Sequence, residues 1–356
     1  MTTRDLWLEI MNYGEFDRVP VHHWTGWDET IERWEAEGMP KDVNQNEYFN
    51  AKPLWAGVGV NLDLYPAFEE ETLEETEEYR IFRDVSGVVQ QDWKHKSCIP
   101  HYIDFKLRTP RDWPEFKKRL QPHPDRIPKD LDGRIAEAEK AGLPLVVSTA
   151  SMMGWIRNWM GVVNMSYLMC EAPDCYADMV NTIADLVCWG IDQAVPRLNM
   201  KPDIGFGWED ICGKNGPLVS PTIFDSCVAP GYLRVRSKLE EYGIHFLGID
   251  SDGNVAPLLK NWLDAGVNVQ FPIEIGTWHA DPMALRKQYG KELRIIGGIN
   301  KLELEKGRAA IDAEIERRLP LMKDGGYVPL PDHLITPGTP LEDYKYYLTR
   351  IRELRF

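Results

Sequence analysis

The sequence predicts an α/β protein built as a (β/α)8 barrel, with a segment inserted after its second strand. Three observations lead there. Short β-branched runs alternate with longer amphipathic stretches, eight such runs can be marked, and glycines close the most periodic helical stretches just before a strand resumes. An eight-unit barrel occupies about 250 residues as one domain. In a chain of 356 residues this leaves a surplus. Residues 1–356 therefore read as a single barrel domain, with 64–143 as an inserted cap.

In chain order the runs are RVPVHHW near 18–24, WAGVGVNLDL near 55–64, PLVVSTA near 144–150 and DIGFGWED near 203–210. IHFLGID at 244–250, VNVQFPIE at 267–274, LRIIGGIN at 293–300 and GYVPLPD at 326–332 follow. The most periodic helical stretches are 177–195, 220–243 and 310–325; Ser220 and Pro221 supply a cap and a first-turn proline, and Gly243 and Gly325 supply stops. The 64–143 segment holds a β-like patch, FRDVSGVVQQDWKHK, and a proline-rich stretch, QPHPDRIPKD. A doubly wound open sheet is the alternative, but no GxGxxG turn follows the first strand and no P-loop occurs.

Composition narrows the function. Lys and Arg number 41 against 56 Asp and Glu, a net charge of −15, which repels phosphate backbones and anionic lipid. No apolar run approaches the roughly 18 residues that span a bilayer, and the N-terminus lacks a signal-like apolar stretch. A cytoplasmic protein without nucleic-acid or membrane partners is expected, acting on a small molecule or another protein, with a homodimer as the expected assembly. The six cysteines fall in no CxxC or zinc-finger spacing and read as buried reduced thiols. The 13 tryptophans imply an aromatic core or an aromatic pocket. The acidic stretch EEETLEETEEYR reads as a solvated helix face or loop.

A barrel of this kind carries its site at the C-terminal ends of the strands. In IDSDGN, Asp250 and Asp252 stand two apart on an extended end and face one side, suited to a divalent metal, although an Asp there also caps a following helix. Glu274 ends the next strand and His333 follows the last, so carboxylates and an imidazole converge in a mixed site suited to zinc, with manganese or iron as alternatives. Glu209 and Asp210 point to opposite sides, so only one lines the pocket; Asp210 is the catalytic candidate, with pairing to a neighbouring Lys or Arg as the alternative. His279, beside Trp278, is a second catalytic candidate. His23, Trp24, Trp208 and Trp278 are the candidate substrate-binding residues, aromatic or hydrogen-bonding groups at strand ends.

FDRVPV near 16–21, VNVQFPIE, GGINKLELEKGRAAIDAEI, GGYVPLPDHLITP and TPLEDYKYYL resemble the uroporphyrinogen decarboxylase superfamily, whose members are (β/α)8 barrels. The superfamily holds cofactor-free porphyrinogen decarboxylases and zinc-dependent methyltransferases that work with corrinoid proteins. The decarboxylase branch resembles RPPVWxMRQAGRY after the first strand; here the chain reads RVPVHHWTGW, keeping Arg18 but offering aromatic residues where arginines would meet substrate carboxylates. The thiol-acting methyltransferases carry HxCGN, then an acid, then a cysteine. Those positions fall on Asp250 to Asn254, on Glu274 and on His333. The resemblance thus implies Asp250, Asp252, Glu274 and His333 as metal ligands and a harder Lewis acid matched to an ether oxygen. The implied function is a zinc-dependent methyltransferase moving the methyl group of an aryl methyl ether to cob(I)alamin carried by a corrinoid protein, an O-demethylation. A metal-free decarboxylase of a small aromatic acid, with Asp252 and His333 handling protons, and a non-catalytic small-molecule or corrinoid-binding barrel are the alternatives.

Overall fold

The computed structural model describes residues 1–95 and 98–356. Its strands are β1 (Ala56–Val58), β2 (Glu71–Glu75), β3 (Tyr79–Arg83), β4 (Val88–Trp93), β5 (His101–Phe105), β6 (Leu145–Ser148) and β7 (Ile204–Trp208). They continue with β8 (Cys212–Gly213), β9 (Gly216–Pro217), β10 (Phe246–Asp250), β11 (Val269–Phe271), β12 (Arg294–Ile296) and β13 (Tyr327–Val328). Seven form one sheet in the order β1-β6-β7-β10-β11-β12-β13, every neighbouring pair parallel. Parallel neighbours need crossovers. Helices supply them, from Leu131–Lys140 between β1 and β6 to Arg308–Asp324 between β12 and β13.

Seven of the eight expected runs thus become ladder strands. The first, 18–24, does not. Pro20 removes a ladder donor, and the segment makes only single bridges: His22 with Lys52, ahead of β1, and Gly26 with Ile335, beyond β13. The Lys52 N–H donates to the Val21 carbonyl at 2.9 Å and the Trp27 N–H to the Ile335 carbonyl at 3.2 Å. Residues 22–26 therefore lie between the two edges of the curled sheet and touch both. The second run shortens to three residues because the chain after it turns to meet Arg126, whose guanidinium donates to the Asn61 carbonyl at 3.1 Å and the Asp63 carbonyl at 2.6 Å.

Between β1 and β6 stands an antiparallel sheet, β2-β3-β4-β5. It packs against helix Gly154–Glu171, where Phe105 fills the space over Gly161; a Cβ there would come within 2.6 Å of the Phe105 ring. The C-terminal part of the expected insert differs: Leu131, Ile135 and Ala138 pack with Val58 and Leu145, so 131–140 is a crossover helix of the main sheet. The spacing of those three residues is helical, but the prolines just before it obscure it in sequence.

Trp7, Trp34 and Trp262 are among the largest fully buried side chains, so part of the tryptophan excess is core. All six cysteines are free thiols; Cys212 and Cys227 are buried, whereas Cys98 and Cys170 are exposed, against expectation. Among the described residues no helix is long and apolar enough to cross a membrane.

Candidate active site

The acids at the strand ends divide into two groups. Glu209, Glu274 and Asp332 are buried and accept backbone N–H groups. Glu209 takes Met152, Met153 and Gly154 N–H at 2.7 Å each, the Ser151 hydroxyl at 2.9 Å and the Tyr232 hydroxyl, so it closes the N-terminus of helix Gly154–Glu171. Burial still pushes its pKa up, against the pull of Tyr232 and the three amides. Asp332 takes the N–H groups of Ile275 (2.7 Å), Gly276 (3.1 Å) and Lys301 (3.0 Å). Glu274 takes the Gly253 N–H at 2.6 Å and lies 3.6 Å from Lys301 Nζ.

Asp210, Asp250 and Asp252 form the second group, at adjacent ends of β7 and β10, where Trp208 pairs with Asp250. Glu209 and Asp210, both beyond the end of β7, meet different neighbours: helix Gly154–Glu171 and Tyr232 for the first, Asp252 for the second. Asp210 sits at φ +45°, a left-handed conformation Asp tolerates at modest cost, and Arg157 donates to its carbonyl. Burial, then repulsion from Asp252, raises the Asp210 pKa. Burial followed by the charges of Asp252 and Asp210 raises that of Asp250 further. Asp252 Oδ2 meets His333 Nε2 at 3.1 Å, while Asp252 Oδ1 is buried with no hydrogen-bond partner. Neither aspartate caps the helix Ala256–Asp264. The Ala256 N–H instead donates to the Asn254 side chain, at 3.3 Å.

An aromatic wall borders this cluster. Trp27 stacks on His333 with centroids 5.5 Å apart and planes at 22°, Trp24 lies 5.9 Å from His333 and 4.8 Å from Phe271, and Trp55 lies 6.4 Å from Phe271 and 4.3 Å from Phe206. Trp24 was expected there. Trp27 belongs to the aromatic residues that stand where the decarboxylase branch has arginines, whereas Trp55, Phe206 and Phe271 were not expected, although Phe206 alternates with Trp208 on β7. The Trp208 ring packs on Gly154. Both ring nitrogens of His23 are engaged, by the Tyr344 hydroxyl and the Gln45 carbonyl at 2.8 Å each, and it packs on Phe49. Trp278 keeps a buried Nε1 without a partner, and His279, exposed at φ +58°, ends the short helix Ile275–Trp278.

The donors present suit a hard divalent cation: carboxylates and one imidazole, an orphaned Asp252 oxygen, and two neighbouring acids, Asp210 and Asp250, whose pKa burial and then the charge of Asp252 raise. The nearby thiol of Cys212 is pushed up to about 12 by burial and is a poor competitor. Among the described residues no three His, Cys, Asp or Glu side chains form a ready-made metal cluster. The assembled part is the Asp252–His333 pair.

The chain matches no curated protein in sequence. Among solved structures, a methyltransferase from Methanosarcina mazei superposes with a TM-score of 0.62 over 99% of each chain, at 16% sequence identity, a likeness of fold. Residues 207–354 match the uroporphyrinogen decarboxylase (URO-D) family, and that stretch contains Asp210, Asp250, Asp252, Glu274 and His333. The C-terminal part of the chain is thus similar in sequence to the uroporphyrinogen decarboxylase family, and the whole chain is similar in fold to that methyltransferase.

Proposed function

We propose that the protein is a methyltransferase that removes the methyl group of an aryl methyl ether and passes it to cob(I)alamin on a partner corrinoid protein. The observation that carries the proposal is the Asp252–His333 pair, flanked by Asp250 and Asp210 and bordered by Trp24 and Trp27. A porphyrinogen bearing many carboxylates is poorly matched to a mouth rich in acids. A flat, neutral aromatic ring suits the wall of indoles.

Asp252 and His333, with Asp250 beside them, would hold zinc, which supplies a Lewis acid for an oxygen that gains charge as its C–O bond breaks. The chain's own residues do the rest. Trp24 and Trp27 hold the ring, and Trp55, Phe206 and Phe271 keep water from its far side. The methyl carbon leaves with its bond to cobalt formed by the cobalt electron pair, and the C–O pair stays on oxygen as phenolate. Asp210, whose pKa burial and Asp252 raise, would return a proton to that oxygen.

Elemental analysis followed by mixing with cob(I)alamin and a guaiacol-type ether tests this. About one zinc per chain, lost in Asp252→Ala and His333→Ala, together with methylcobalamin formation, is expected. A metal-free protein that forms no methylcobalamin rules it out.

A further inference from the structure

Glu274 is engaged at both of its carboxylate oxygens. Its Oε2 takes the Gly253 N–H at 2.6 Å, and its Oε1 faces Lys301 Nζ at 3.6 Å. Lys301 is itself largely buried and lies 4.0 Å from Asp332, so its ammonium faces two carboxylates, one of which, Glu274, meets the turn at Gly253. That turn is pressed from its other side. Gly253 sits at φ +82°, and a Cβ there would come within 2.2 Å of the Cys212 carbonyl oxygen, in the hairpin of β8 and β9. The Asn254 N–H donates to the Gly213 carbonyl of the same hairpin at 3.0 Å. Residues 252–254 are thus clamped between a carboxylate on one side and a hairpin on the other. Asp252, the first residue of the clamped turn, is the one that reaches His333.

We infer that Glu274 is a positioning residue and not a metal ligand: through the Gly253 N–H it holds the turn that aims Asp252 at His333. The inference rests on the metal reading above for its consequence, not for its geometry. One carboxylate oxygen is committed to a short amide bond and the other faces an ammonium, the partners of a carboxylate that anchors a loop. A ligand role and a positioning role predict opposite behaviour for one substitution. The amide oxygen of Gln still accepts the Gly253 N–H, but Gln is not among the side chains that ordinarily bind zinc.

The test titrates Co2+ into the full-length wild type, Glu274→Gln and Glu274→Ala, following the visible d–d bands, and measures hydrogen exchange at the Gly253 amide without metal. Expected are wild-type bands and affinity in Glu274→Gln, and affinity about 10–100-fold weaker in Glu274→Ala. The Gly253 amide exchanges slowly in the first two and fast in the third. The inference is overturned if Glu274→Gln loses cobalt as completely as Asp252→Ala, or if Gly253 exchange is unchanged in Glu274→Ala. Should the wild type itself take up no cobalt, the metal reading fails, and the exchange comparison still decides whether Glu274 holds the turn.

Discussion

Trp27 is more than a third exposed, yet its ring stacks on the His333 imidazole, so one of its faces is occupied while part of the ring stays open to solvent. Aromatic pairs are worth about 0.5–1.5 kcal/mol beyond the area they bury. Trp27→Ala is expected to raise KM for the aromatic ether roughly 2- to 12-fold with kcat little changed, and Trp27→Phe to recover most of it. An unmoved KM in steady-state assays would remove Trp27 from the ring site. The histidines of the same segment behave differently. Burial holds His22 and His23 at about 4 in the fold, against about 6.5 in the unfolded chain. Between those values the unfolded chain binds protons that the fold refuses, so this stability is complete above pH 6.5 and declines as pH falls toward 4. Each contributes a slope of up to about 1.4 kcal/mol per pH unit. Urea unfolding of His23→Gln between pH 7.5 and 5 should show a shallower loss than wild type. Equal slopes would mean that His23 is protonated in the fold. The roles of these two neighbours, His23 and Trp24, were not separable in sequence; which nitrogen meets Gln45 or Tyr344 depends on a helix more than 300 residues away.

Elements were legible where their burial is local. β6, β7 and β10 each lie inside their expected runs, because strands buried on both faces read as continuous apolar stretches bounded by glycine or acid. Helix Gly154–Glu171 shows no clear start, stop or period in sequence. Its apolar residues run almost all round, and Gly161, at φ +75°, kinks it in the middle where Phe105 of the inserted sheet seats. Adding a Cβ there meets both an unfavourable φ and the Phe105 ring. Gly161→Ala should lower unfolding free energy by about 1–3 kcal/mol, read from the urea midpoint. No change would place the inserted sheet off this helix. The stretch 220–243 carried its cap and stop in sequence, and the structure keeps both, but a π turn at Phe224–Val228 interrupts it where Pro230 has no N–H to give.

At the scale of the molecule, residues 22–26 hold the two edges of the parallel sheet and bring Trp24 and Trp27 to the cluster at once. Gly26 allows this: a Cβ would come within 2.6 Å of Thr30 and 3.1 Å of the Ile335 carbonyl. Gly26→Val is expected to lower the thermal midpoint and to weaken aromatic-ether binding in parallel, measured by calorimetry and tryptophan fluorescence. A lowered midpoint with binding intact would uncouple the seam from the wall. The acids that make up the net charge of −15 are mostly surface, but the strand ends sort six of them by partner. By itself the sequence determined the alternation of strand and helix, the parallel sheet, the strand-end location of the acids and the family pattern over 207–354, because periodicity, glycine stops and local spacing are properties of contiguous residues. Only the tertiary structure decided which acids are anchors and which face the mouth. Glu209, Glu274 and Asp332 meet backbone N–H groups from other loops, Asp252 meets a histidine 81 residues on, and an acid's charge is compensated or left open by neighbours in space, not in sequence.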